Sequence, residues 1–157
     1  EFKTSVWYAL SCCMPFREGV NVVIEMADVP YFTLTDVEAI APSEGYTSPL
    51  GQAILFVSWD RPDVSAIAPF DIVESRNEYD VAVKHYYQGR AGALVPVQFL
   101  DLADCYHARH HLHIPRSGRY VVIKLLRSQR AGENVDVQYF GFRGWTAPHA
   151  FEEGTLL

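Results

Sequence analysis

Apolar residues fall along this chain in short runs punctuated by turn-forming residues, and no run carries a long helical stripe. Residues 6–13 and 20–26 are compact apolar segments, the second rich in Val and Ile, separated by a turn at 15–19. Both read as strands. Pro30 ends the second. Residues 31–40 leave two readings open, a strand or a short helix beginning at Thr35, because Thr35-x-x-Glu38 has the form of a capping box. Residues 41–52 carry two prolines, two glycines and three Ser/Thr residues, and read as a loop. Residues 53–59 are continuously apolar between turn signals, the pattern of a strand buried on both faces. After a turn at 60–62, residues 64–72 read as extended, with Pro69 placing them at an edge or bulge.

Residues 79–87 alternate: Tyr79, Val81, Val83 and His85 on one side, Asp80, Ala82, Lys84 and Tyr86 on the other. This predicts a strand, followed by a glycine-containing turn at 88–92 and another strand at 95–100. Residues 101–113 are polar and histidine-rich and fit no single template. Residues 119–127 and 135–142 are the strongest strands, joined by a polar loop at 128–134. The simplest arrangement pairs them antiparallel within one sheet. Gly141 interrupts the second and predicts a bulge. Residues 146–157 read as a loosely ordered tail. Short strands at this spacing predict one all-β domain, a jelly-roll β-sandwich spanning residues 1–157.

Composition agrees. Hydrophobic residues make up 49% and charged residues 20% of 157 residues, enough to build one core and too apolar for a disordered chain. The net charge of −6 argues against a nucleic-acid partner, which asks for a basic face. No run approaches the roughly 20 apolar residues of a membrane-spanning helix. Three cysteines, Cys12, Cys13 and Cys105, do not resemble a disulfide framework. With no Asn-x-Ser/Thr acceptor and no signal-type opening, the expectation is a cytoplasmic or nuclear protein. The opening residues read as a cut boundary, so the chain is expected to be a monomeric module of a larger protein.

The segment 118–128, containing Arg119-Tyr120-Val121-Val122-Ile123-Lys124-Leu125, followed after a short loop by Tyr139-Phe140-Gly141-Phe142-Arg143-Gly144, resembles the closing strands of galactose-binding-like domains. Discoidin-type modules, the DOC domains of ubiquitin ligases and similar modules on F-box-type proteins carry such strands, and the final six residues also resemble the end of PITH domains. The likeness covers about a sixth of the chain. The "DG-x-x-x-T-x-W" segment usual in these domains does not follow Val20. The resemblance implies a jelly roll and a role in recognising a protein or short, degron-like peptide in the ubiquitin–proteasome system. It places the contact on the loop after residue 127, through Ser128, Gln129, Arg130, Glu133 and Asn134. Arg143 and Trp145, side-chain types that anchor many interfaces, are further candidate contacts at the end of a strand.

Candidate chemistry is sparse. Cys105, His107, His111 and His113 are good zinc donors, but their spacing matches no common zinc module. They offer an alternative as a metal-dependent enzyme; the main expectation is no metal, no cofactor and no catalysis. Cys12 and Cys13 read as core thiols. Asp60 with Asp63, and Asp101 with Asp104, sit at turns, where Asp serves local hydrogen bonding. Trp7 and Trp59 lie in apolar runs and read as core. Tyr86, Tyr87 and Trp145 are the candidate exposed aromatics, which would serve the other alternative, a carbohydrate-binding module. No phosphate-binding glycine loop and no nucleophile elbow occurs.

Overall fold

A computed structural model describes residues 4–26, 31–43, 45, 48–89, 94–130 and 134–146. Eight strands, β1 (Thr4–Arg17), β2 (Asn21–Glu25), β3 (Phe32–Ile40), β4 (Leu50–Ser58), β5 (Leu94–Asp101), β6 (His107–Gly118), β7 (Tyr120–Ser128) and β8 (Asn134–Thr146), form two four-stranded antiparallel sheets. The first sheet has the order β1-β8-β3-β6 and the second β2-β7-β4-β5. Successive strands thus fall in opposite sheets except at β4–β5, the double Greek-key pattern of a jelly roll. The expected all-β sandwich is what the chain forms. The likeness of 31–40 to a helix start is resolved as strand β3, and residues 50–52, expected in a loop, open β4.

The first contrast with the sequence reading concerns β7 and β8. They do not pair with each other. β7 lies between β2 and β4, and β8 between β1 and β3, so the two strands face one another across the core. The seven-residue span at 128–134 is long enough to step from one sheet to the other. Gly141 is also no bulge: its ladder with Ala9 and Glu38 runs through unbroken. The register shifts on the strands beside β8 fall elsewhere, between Ser11 and Met14 on β1 and between Leu34 and Asp36 on β3.

The main core lies between the sheets. Phe32, Leu34, Val37, Leu55, Ile123, Val137, Phe140 and Phe142 are all at most 2% exposed. Strand β8 passes so near β3 that a side-chain carbon on Gly144 would strike the carbonyl of Thr33, so this position excludes every larger residue.

The second contrast is a helical layer. Residues 64–72 do not run extended: Val64–Phe70 form a 3-10 helix, η1, started by Asp63, whose carboxylate accepts from the Ser65 N–H at 3.0 Å. Residues 79–87 are not a strand: Arg76–Gly89 form the helix α1. Tyr79, Ala82, Val83 and Tyr86 recur at helical spacing and pack inward with Ile54, Phe56, Ile67, Phe70, Phe99, Val122 and Leu126. This second cluster covers the outer face of the β2-β7-β4-β5 sheet. It explains why all nine residues of β4 are buried, as the unbroken apolar run predicted.

Of the turn expected at 88–92, residues 88 and 89 end α1 instead and the rest lies outside the described residues, as does the expected tail at 146–157 beyond Thr146. Among the described residues, no helix is long and apolar enough to cross a membrane.

Candidate functional site

The helical layer carries a concave feature on its surface. Between η1 and α1 runs a groove of about 860 Å³ lined by Ala66, Pro69, Ile72, Val73, Val81, Ala82 and Tyr86, with Ser65, Asn77, Glu78 and His85 among them. Its walls are mainly apolar. Two of its side chains stand in water: Ile72 is 82% exposed and Val81 53% exposed. One exposed aliphatic residue is ordinary; two lining one concavity of ligand size mark a candidate binding site.

The groove sits on a platform held down by polar bonds from the sheet beneath. On β7, Lys124 is buried, with its side chain only 2% exposed, and its ammonium meets the Asp71 carboxylate. Arg127 donates to the Val73 carbonyl at 3.2 Å and pairs with Glu74 at 3.2 Å. From β4, the Gln52 side-chain amide donates to the Glu74 carbonyl at 2.9 Å. Residues 71–74 join η1 to α1, so these three side chains fix the angle between the groove walls. The Ser75 hydroxyl accepts from the Glu78 N–H at 3.3 Å, capping α1. The Glu78 carboxylate accepts from the Glu74 N–H at 2.7 Å. Tyr79 closes the layer below; burial raises the pKa of its phenol far above the usual tyrosine range, so it stays neutral.

The loop expected to bind a ligand is built differently. Ser128 ends β7, and its N–H donates to the Glu18 carboxylate at 3.0 Å, while its hydroxyl donates to the Arg130 carbonyl. The Gln129 amide reaches three carbonyls, of Leu102 at 2.7 Å, Cys105 at 2.9 Å and Leu50 at 3.2 Å. Its donors are thus committed to tying the β3–β4, β5–β6 and β7–β8 connections together. Arg130 and Asn134 are exposed at the same end, and Glu133 lies outside the described residues. Arg143 and Trp145 are not brought to this loop. Arg143 lies nine positions along β8 from Asn134, about 30 Å of strand. Arg143 is exposed on the outer face of the β1-β8-β3-β6 sheet opposite Asp36, and Trp145 is half-buried opposite Thr33.

The histidine-rich segment also resolves into strand. His107 and His111 point outward from β6, a strand at the sheet edge. Each meets a carboxylate of β3: His107 bonds Glu38 at 2.6 Å and His111 bonds Asp36 at 3.2 Å. Four strand residues put these two histidines about 13 Å apart, beyond the reach of one ion. His113 and Cys105 are exposed on either side of them. Among the described residues, no three His, Cys, Asp or Glu side chains converge on a common point. Burial raises the pKa of Asp36, but bonds from Thr35 and His111, with the charges of His111 and Arg109, outweigh it and hold the group low. Burial, and then the charge of Arg76, lowers the pKa of His110.

Several other residues singled out by sequence find plain roles, while the side chains of Trp7, Cys12 and Cys13, expected in the core, lie outside what is described. Asp63 caps η1, and Asp101 accepts from the Ala103 N–H at 3.0 Å in a local turn. Tyr86 is not exposed but 8% accessible within the second cluster, while Tyr87 is 48% exposed. Trp59 is not core: it is 53% exposed and sits against Tyr31, with ring centroids 5.5 Å apart. It ends the apolar run one residue past β4, where alternation no longer buries it. The groove itself was missed because its walls were read as strands. The signal that would have found it is Ser75-x-x-Glu78 ahead of the Tyr79, Val83 and Tyr86 stripe.

No protein-family model matches the sequence, and no curated protein matches it. The fold is similar to the crystal structure of the C-terminal domain of a chitobiase from Bacteroides fragilis, with a TM-score of 0.52 over 90% of this chain and 74% of that one. The two share 9% sequence identity, so the likeness shows the β-sandwich fold alone.

Proposed function

We infer that this chain is a non-catalytic recognition module that binds a protein segment or short peptide in the groove between η1 and α1. One observation carries the reading. Ile72 and Val81 are held in water on two walls whose angle is set from below by Lys124, Arg127 and Gln52. A preset apolar cleft avoids the cost of ordering its own walls when a ligand enters. The likeness of the β7 and β8 sequences to DOC modules supports a narrower version, in which the peptide is a degron of the ubiquitin–proteasome system. That version rests on two strands.

The test is a displayed peptide library panned against the whole chain, with binders mapped by NMR. Shift changes are expected on residues 65–86. Val81→Asp puts a charge into the groove and is expected to weaken binding by at least about tenfold, a difference of roughly 1.4 kcal/mol. Because Val81 is half in water, the fold should lose no more than roughly 0.5 kcal/mol. Binders whose shifts fall on residues 128–134 and leave the groove untouched would move the site back to the loop.

A second reading, a carbohydrate-binding module, is favoured by the exposed Trp59 beside Tyr31. Indole and phenol faces suit the C–H faces of sugars, and the chitobiase domain shares the fold. A glycan array in which every hit is lost in Trp59→Ala would establish it; an array without hits would remove it.

A further inference from the structure

We propose that the ligand of the η1–α1 groove is a basic, hydrophobic peptide whose apolar side chains fill the cleft while a lysine or arginine meets Glu78. The proposal rests on the peptide-binding reading and adds the chemistry of the partner.

The groove carries one uncompensated charge. Acidic groups crowd the platform, and their cationic partners are already assigned. Asp71 holds Lys124, Glu74 holds Arg127, and Asp80 holds Arg76, whose guanidinium also lies 5.4 Å from the centre of the Tyr79 ring. Glu78 differs. It lines the groove, and among the described residues no cation lies within ion-pair distance of it. Its carboxylate is anchored through one oxygen, Oε2, by the Glu74 N–H. The other oxygen is left for a donor from outside.

No other lining residue is an aspartate, glutamate, lysine or arginine. The cleft therefore presents apolar walls, a few neutral polar groups and one fixed anion. An acidic peptide would bring its charge against Glu78. A wholly apolar one would leave the carboxylate partly desolvated without a partner. A basic side chain beside aliphatic ones satisfies both parts of the site. The excess negative charge of the chain, −6, would also speed the encounter with such a peptide.

The experiment uses fluorescence polarisation with three labelled 12-residue peptides, of Leu and Lys, Leu and Gln, and Leu and Glu, against the whole chain. The Leu/Lys peptide is expected to bind at least about tenfold tighter than Leu/Glu, with the gap closing in high salt as charges are screened. Glu78→Gln keeps an oxygen for the Glu74 N–H and removes the charge. It should weaken Leu/Lys roughly threefold to fivefold, the scale of an exposed ion pair, and leave Leu/Gln unchanged. Glu38→Gln, on the opposite face of the sandwich, removes the same net charge and should have no such effect.

If Glu78→Gln matches Glu38→Gln, or Leu/Lys and Leu/Glu bind alike, the charge assignment is overturned. The groove would still stand, provided that Val81→Asp abolishes binding of Leu/Gln. If Val81→Asp leaves all three peptides unaffected, the groove reading falls and takes this proposal with it.

Discussion

Lys124 shows how one side chain can tie two layers together. It lies on β7 between Val122 and Leu126, on the face covered by helices, in a place where an apolar residue would ordinarily sit. The ammonium is buried while the Asp71 side chain is 51% exposed, so removing the carboxylate leaves a buried charge with only the long bond to the Asn21 side-chain oxygen at 3.5 Å. Asp71→Ala should therefore destabilise the fold by about 3 kcal/mol, and Lys124→Met by clearly less. Urea unfolding of both variants and the double mutant decides this; equal losses would show that the pair acts only by packing. Two titrating groups give acid sensitivity in separate windows. His110 has a lowered pKa in the fold, so below about pH 6.5 the unfolded chain takes up the proton first. Stability is then lost as pH falls from there through the folded value. Asp36 has a lowered pKa, so it stabilises above about pH 3.9 and loses that contribution as pH falls through its own folded value. Unfolding midpoints for His110→Asn should fall less between pH 7.5 and 5.5 than for the parent chain, whereas Asp36→Asn should change only the slope below pH 4.

At the scale of elements, two similar tetrads had opposite fates. Thr35-x-x-Glu38 lies in β3, where the Thr35 hydroxyl bonds Asp36 at 2.8 Å and the Arg143 carbonyl at 3.1 Å. Ser75-x-x-Glu78 starts α1. The motif is local, and the surroundings of each segment decide its outcome. Strand β3 has neighbours on both sides to take its backbone groups, whereas the segment after Ser75 lies over a sheet already complete and must satisfy its own. Ser75→Ala should cost about 1 kcal/mol and speed amide exchange in the first turn of α1 before anywhere else. Uniformly faster exchange across both sheets would mean that the cap is not local to the helix. The alternation at 79–87 failed for a related reason. Tyr79, Val83 and Tyr86 fit helical spacing while Tyr79, Val81 and Val83 fit a strand's, and a short segment cannot separate the two periods.

At the scale of the molecule, η1 and α1 act as a lid on one sheet face. Ile54, Phe56, Val122 and Leu126 belong to strands of the sandwich but are buried by the helices. Deleting residues 64–89 should therefore leave a chain that self-associates, through an apolar sheet face newly open to water. Size-exclusion chromatography checks this; a monomeric, folded deletion product would show that the sandwich closes that face by itself. Among the described residues, no helix covers the opposite sheet, and its outer face carries His107, Arg109, His111, Asp36, Glu38 and Arg143 instead. The two faces thus differ in what they can bind, and the groove exists only because the chain inserts its helices between β4 and β5.

The sequence by itself determined most of the strands, the sandwich class and the double burial of β4, because each arises from side-chain alternation and from turn residues within a few positions. It also determined that Asp63 and Asp101 serve turns, a matter of contacts two residues away. Only the tertiary structure decided that β7 and β8 face each other across the core, that Gln129 ties three connections together, and that Lys124 is buried against Asp71. Those outcomes join residues 24 to 79 positions apart along the chain for Gln129 alone. Pairing at such separations is set by how whole sheets pack, and no local period records it.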